Sequence, residues 1–277
     1  MSMASELRDE AVLIARAAGE ILKTRRTLER TVTFKDRSGA DLVTDADRAS
    51  EEAILEALGR RFPGHAVLAE ERGEVGQGAM LWLVDPLDGT VNYAHGVPHF
   101  CVSLAVEGPG PGGTRQVLAG VVVNPMLDEV FAAARGHGAT LNGAAVRVSN
   151  VAALSSALLC TGFPYSLRER PQGPLGLFNR VVPKAQGVRR MGAAALELAY
   201  LAAGRFDAFF EYGLKPWDTA AGSLLIEEAG GVVLRLDGGP YDVMAPDILA
   251  ATPGVAPELK AEYLAFVAAT GTTPARR

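Results

Sequence analysis

The chain has 277 residues, 48% of them hydrophobic and 21% charged, an ordinary balance for a folded globular protein with ample length for a sizeable core in one large domain or two intimately packed ones. Its net charge of −5, from 27 basic and 32 acidic residues, comes without a long like-charge run and argues against nucleic acid as the main ligand. No stretch approaches the roughly 18 uninterrupted apolar residues of a membrane span, and Met-Ser-Met-Ala-Ser-Glu at the start lacks the basic-then-apolar pattern of a leader, so a soluble, cytoplasmic protein with no membrane partner is expected.

Residues 5–30 carry Leu7, Ala11, Ile14, Ala18, Ile21 and Leu22 at a helical period with charges between them, which predicts an amphipathic opening helix of about 20 residues. Thr31-Val32-Thr33-Phe34-Lys35 alternates like a short strand, and Asp36 to Ala40 reads as loop. Thr44 followed three residues later by Asp47 fits a capping box opening a second helix, whose apolar positions Ala53, Ile54, Ala57, Leu58 and Phe62 stop at Pro63-Gly64. Ala66 to Ala69 reads as a buried strand ending at Glu70-Glu71, and Gly73 to Gly78 as loop.

Trp82-Leu83-Val84 then runs straight into Asp85, as a buried strand does when it surfaces. Pro86 lacks a backbone donor and fixes φ, which predicts that this strand ends there. Asp88 follows three residues after Asp85, and Gly89-Thr90 opens a tight turn from which a short helix could start. Segments 99–107, 117–124, 128–134 and 139–148 read as strands, joined as sequence neighbours and therefore largely antiparallel. Beyond a seam placed near Asn150, the expected order is strand 157–162, a loop through Pro171 to Pro174, helix 175–186 and a short strand around Val188. Helix 192–204, strand 206–212, helix 218–229 with Asp218 as N-cap, strands 232–235 and 248–251, and helix 256–268 follow, with a fraying tail from Gly271.

Acids stand where apolar runs stop: Glu70, Asp85 with Asp88, and Asp218. Several carboxylates facing a phosphate repel it and one another unless cations lie between them, and a site with two or three Mg2+ ions answers that difficulty. His65, His95, His99 and His137 are scattered without zinc spacing, and Cys101 and Cys160 sit in apolar runs as small buried hydrophobes. No nucleophile paired with a base in the Ser-His or Cys-His manner is visible.

The segments Glu70-Glu71, Asp85-Pro86-Leu87-Asp88-Gly89-Thr90 and Trp217-Asp218-Thr219-Ala220-Ala221-Gly222 resemble the signature set of the inositol monophosphatase family, a branch of the Mg2+-dependent, lithium-sensitive sugar phosphatases. The likeness takes in Asp41 to Thr44 with Asp47, Asn92-Tyr93, Gly162 to Tyr165, Arg189 with Gly192-Ala193-Ala194, and Glu211, and covers nearly the whole chain in order. It implies an α/β fold with α-β-α-β-α layers and a largely antiparallel first sheet. It implies a single domain over residues 1–277, with a metal-binding half of about 1–150 and a substrate-binding half of about 151–277, assembled as a homodimer.

By the same resemblance the activity is hydrolysis of a small phosphorylated polyol by metal-activated water, with inositol 1-phosphate the preferred substrate. Histidinol phosphate and fructose 1,6-bisphosphate are alternatives on the same site, and a regulatory protein- or RNA-binding role is an alternative of another class. A sulfonucleotide substrate finds no adenine-binding motif. Two to three Mg2+ ions are implied: Glu70, Asp85 and the Leu87 carbonyl would hold one, Asp85, Asp88 and Asp218 a second, and Glu70 with waters a weaker third. Glu70 and the Thr90–Asp47 pair would orient the attacking water, and the Gly89 and Thr90 amides would bind phosphate. Gly192, Ala193, Ala194 and Glu211 would contact hydroxyls, with Asp88 and Asp218 also facing substrate. Lys35 is a further candidate near the third ion. The sequence departs from the animal-type enzymes at Lys215, where those carry histidine, and at Ala193, where they carry threonine; Lys215 is a candidate for a second anionic group.

Overall fold

The periodic apolar residues of the opening segment form one buried face of helix α1 (Met3–Arg25), N-capped by Ser2, whose hydroxyl accepts from the Ser5 N–H. In this computed structural model, which describes residues 2–26, 32–34 and 42–271, strand β1 (Val32–Phe34) pairs antiparallel with β2 (Leu42–Thr44). Residues 27–31 at the end of the expected first helix and start of the expected strand, Lys35, the expected loop Asp36 to Ala40, Asp41 and the tail after Gly271 lie outside the described residues. Helix α2 (Asp45–Arg61) starts at the expected capping box: Thr44 accepts from the third helical residue, and Asp47 accepts from the Thr44 N–H at 2.8 Å.

The first large sheet comprises β3 (Ala66–Ala69), β4 (Gly73–Val75), β5 (Leu81–Asp88), then, after the short helix α3 (Thr90–Ala94), β6 (Cys101–Pro109), β7 (Arg115–Asn124), β8 (Glu129–Ala134), β9 (Ala139–Leu141) and β10 (Ala144–Val146). Its eight strands lie in the order β10-β9-β8-β7-β6-β5-β3-β4, and every pair is antiparallel except β3 with β5. Side chains alternate between two apolar layers: Trp82, Val84, Val102 and Leu104 pack with α1 and α2, whereas Leu83, Cys101, Ala105 and Phe131 face the other way. Covering both faces is why these strands read as apolar runs instead of alternating with polar residues.

The second part adds β11 (Leu158–Thr161), α4 (Gln172–Val181), β12 (Gly187–Arg189), α5 (Ala194–Ala202), β13 (Ala208–Tyr212), α6 (Pro216–Glu228), β14 (Val232–Leu234), β15 (Asp247–Ala251) and α7 (Val255–Thr270). Its five-stranded sheet has the order β12-β11-β13-β15-β14, with β11 parallel to both neighbours. Helices α5 and α6 share one core with the inner faces of both sheets, while α4 and α7 cover the outer face of the second. The layers are therefore α-β-α-β-α, as expected. No helix among the described residues is long and apolar enough to cross a membrane.

Several local expectations are corrected. Strand β5 does not end at Pro86 but continues to Asp88 across a register shift against β6; a proline is tolerated at a bulge, where no ladder donor is required. The loop expected at 73–78 contains β4, and the expected strand 139–148 is a hairpin of β9 and β10 turning at Asn142-Gly143. Helix α4 begins at Gln172, inside the expected loop, because Pro174 falls in its first turn, where a missing N–H costs nothing. Asp218 is the third residue of α6, not its N-cap; Lys215 is the N-cap, with Pro216 as the first helical residue.

Candidate active site

The β5 register shift decides where the two aspartates point. Alternation along a regular strand sends residues i and i+3 to opposite faces. Here Asp85 pairs with Ser103 and Asp88 with Cys101, so three residues of β5 span two of β6. The extra residue, a bulge at Pro86-Leu87, restores parity and turns both carboxylates to the inner layer. Asp88 Oδ2 there accepts from the Ala195 N–H at the start of α5 at 2.7 Å and from the Cys101 thiol at 3.6 Å. Leu87 meanwhile buries its side chain in the outer layer. Its N–H donates to Asp85 Oδ1 at 3.0 Å, and its carbonyl lies 3.0 Å from the Thr90 hydroxyl.

Gly89 has φ 92°, a left-handed conformation that costs glycine little, and it lets β5 pass directly into α3. Thr90 thus becomes the first residue of that helix, with its hydroxyl 3.2 Å from Asp47 Oδ1. Asp47 is fully buried, and desolvation pushes its carboxyl up to about 7 despite hydrogen bonds from Thr44.

Asp218 reaches the same region from α6, where its carboxylate accepts from the Lys215 N–H at 2.8 Å. Burial raises Asp85 well above the usual carboxylate range, and repulsion from Glu70, Asp88 and Asp218 raises it further. Asp218 is raised by burial and by Asp88 and Glu70. Asp88 rises to about 6, through burial first, with Glu70 adding to it. Four acids from three chain segments therefore lie in one another's fields. Among the described residues, no three Asp, Glu, His or Cys side chains are already closed around a common cation position. The donor set nonetheless fits a hard divalent cation: it is all oxygen, with a main-chain carbonyl beside it, and its mutual repulsion is what a cation relieves.

Glu211 on β13 is buried, and its carboxyl stands well above the usual range through desolvation, then repulsion from Glu197 and Asp218, with Arg190 opposing. The Gly192-Ala193-Ala194 turn enters α5 beside Gly89; a side chain at Gly89 would meet the Ala193 methyl at 3.2 Å. Lys215 borders a groove of about 1390 Å3 that runs along α6 past Arg115 and Arg135. His65 accepts from the Trp82 indole N–H at 3.0 Å and serves packing.

Three supporting side chains, Ser50, Glu51 and Glu197, carry no signal in the sequence motifs, and a fourth, Asn92, belongs to the family likeness without a role attached to it. Ser50 donates to the Pro86 carbonyl at 2.8 Å, holding the bulge, and Glu51 accepts from the Glu71 N–H at 2.9 Å, holding the segment that carries Glu70. Asn92 donates to the Met191 and His99 carbonyls, each at 2.8 Å. Glu197 collects the amides of the 191–193 turn. Ser50 and Glu51 lie on the inner face of α2 with Asp47, a signal that helical spacing from Asp47 could have supplied.

The chain matches the profile described as the inositol monophosphatase family over residues 3–269. It is 45% identical over 236 residues to a Nus factor SuhB of Pseudomonas aeruginosa, covering 82% of this chain and 84% of that one. It is 41% identical over 251 residues to the chloroplastic phosphatase IMPL1 of Arabidopsis thaliana, covering 89% of this chain and 67% of that one. Among solved structures it is similar to an inositol monophosphatase from Anabaena, with a TM-score of 0.84 and 39% identity over 95% of this chain and 97% of that one.

Proposed function

The chain belongs to the inositol monophosphatase family, and from that premise we propose that it is a Mg2+-dependent phosphatase that hydrolyses inositol 1-phosphate to inositol and phosphate. The bulge that turns Asp85 and Asp88 to one face, within the field of Glu70 and Asp218, carries this reading. Glu70, Asp85 and the Leu87 carbonyl would hold one Mg2+, Asp85, Asp88 and Asp218 a second, and Glu70 with waters a third. Bound there, the cations supply charge neutralisation at the phosphate and a more acidic water.

The protein's own groups do the positioning. Thr90, aligned by the buried Asp47, and Glu70 orient the attacking water, and the Gly89 and Thr90 amides receive phosphate oxygens. Glu211 and the Gly192-Ala193-Ala194 turn face the polyol hydroxyls. Positioning of this kind and fixed electrostatics supply most of the rate. The inferred enzyme is a homodimer, which light scattering in solution tests.

Phosphate release from inositol 1-phosphate, histidinol phosphate and fructose 1,6-bisphosphate, each with Mg2+ and with EDTA, tests the proposal. Release that needs Mg2+ and favours the inositol ester is expected; a preference for another ester keeps the chemistry and changes the substrate. The relatives named Nus factor SuhB favour a second reading, a Nus-factor role carried by binding instead of turnover. A pull-down with Asp88→Asn separates the two, since binding would survive while turnover is lost.

A further inference from the structure

Helix α5 reads Ala-Ala-Leu-Glu-Leu-Ala-Tyr-Leu-Ala, and Glu197 is its one charged residue. The side chain is 1% exposed, in a layer where an apolar residue would pack without cost. Burying a carboxylate is unfavourable unless donors surround it, and here they do. Oε1 accepts from the N–H groups of Met191, Gly192 and Ala193 at 3.1, 2.7 and 3.3 Å. Oε2 accepts from the Cys160 thiol on β11 at 3.0 Å. The strongest charge acting on Glu197 is Asp88, which is negative, so its anchorage is hydrogen bonding and not an ion pair.

The segment so held is the turn that faces the bulge of β5. Its carbonyl side is tied by Asn92 Nδ2, 2.8 Å from the Met191 oxygen and 3.4 Å from that of Gly192. Its amide side is tied by Glu197. Gly192 sits at φ 86°, a conformation that such two-sided anchorage keeps in place. Two residues beyond Ala193, the Ala195 N–H donates to Asp88 at 2.7 Å, so the turn and the candidate metal ligands share one framework.

We propose that Glu197 is a positioning and specificity-determining residue, which fixes the 191–194 turn against the polyol part of the substrate, with the Cys160 thiol setting the orientation of its carboxylate. The inference rests on the polyol phosphatase reading above. Glu197 touches no substrate atom; it acts by holding the turn's amides inward, so that the turn presents a fixed surface to the leaving group. Its loss loosens recognition of hydroxyls more than it slows attack on phosphorus.

The test compares inositol 1-phosphate with phenyl phosphate, whose leaving group carries no ring of hydroxyls, using Glu197→Gln, Cys160→Ala and Cys160→Ser in the full chain. Circular dichroism and thermal melting confirm folding, and Glu197→Gln keeps the shape of the side chain where Glu197→Ala would leave a cavity. For Glu197→Gln, KM for inositol 1-phosphate rises about tenfold, the size expected when bonds to a charged acceptor are weakened, while kcat/KM for phenyl phosphate moves much less. Cys160→Ala follows in the same direction by a smaller factor, and Cys160→Ser, which keeps a donor, stays near the unaltered protein. An unchanged KM, or an equal loss on both esters, overturns the role assigned to Glu197. Failure of the unaltered protein to hydrolyse either ester is a different result, which overturns the phosphatase reading and this inference with it.

Discussion

Asp88 illustrates how conflicting forces act on one side chain with a proposed role in the site. Burial lifts its carboxyl to about 6, although the Ala195 amide and the Cys101 thiol bond to it. Replacing it by Asn removes a negative charge from a crowded cluster, so Asp88→Asn lowers kcat by at least about 100-fold without lowering the melting temperature in EDTA; near-normal turnover would sink the metal assignment. Glu197 makes the complementary prediction for pH. Burial, ahead of the opposing Cys160 and Ala193 bonds, raises its carboxyl from 4.5 to about 7, so the folded chain keeps a proton that the unfolded chain has released. Its contribution to stability is full below pH 4.5 and is lost as pH rises through 7, a loss on the order of 3 kcal/mol. Glu197→Gln, which cannot ionise, therefore flattens the fall of metal-free stability across that window, measured by denaturant melts at a series of pH values. An unchanged slope would remove Glu197 from this account.

At the scale of single elements, α2 is the template of the site. Asp47, Ser50 and Glu51 follow one another on its buried face and bond to Thr90, the Pro86 carbonyl and the Glu71 amide. Ser50→Ala leaves the Pro86 carbonyl without its partner and costs about 1–2 kcal/mol, and it raises the Mg2+ concentration needed for half-maximal turnover; denaturant melts and a Mg2+ titration check the two parts. The acids themselves were legible in the sequence because each stands where an apolar run stops. What α2 does with Ser50 and Glu51 was not, since their partners lie 36 and 20 residues away and leave no local pattern. Pro86 misled for a related reason. Proline breaks a regular ladder, but at a bulge no ladder bond is lost, and only the pairing with β6 reveals the bulge.

Across the whole molecule, the candidate site draws on β5 and the segment after β3 in the first sheet, and on α6 in the layer between the sheets. Cation binding at such a site ties these parts together in the folded state alone. Mg2+ at about one hundred times its dissociation constant therefore stabilises the chain by about 3 kcal/mol, read as a rise in melting temperature that EDTA reverses. A melting temperature indifferent to Mg2+ would count against a cation at these acids. The same layered packing accounts for the apolar runs in the strands. Both sheets are covered on both faces, so binary patterning is weak there and strand ends are set by neighbours instead of by local composition.

By itself the sequence determined the order of most helices and strands, though not β4 or the split of β9 from β10, together with the largely antiparallel first sheet and the signature segments that mark the family. These depend on local periodicity, on capping and turn residues, and on motifs a few residues long, all of which are written contiguously. Tertiary structure alone decided that a bulge in β5 brings Asp85 and Asp88 to one face, that α2 clamps the segments bearing Glu70 and these aspartates, and that Glu197 holds the 191–193 turn. Each of those depends on strand register or on a hydrogen bond made once two segments have packed together. Chain folding brings such partners within about 3 Å of each other, and no spacing along the chain records it.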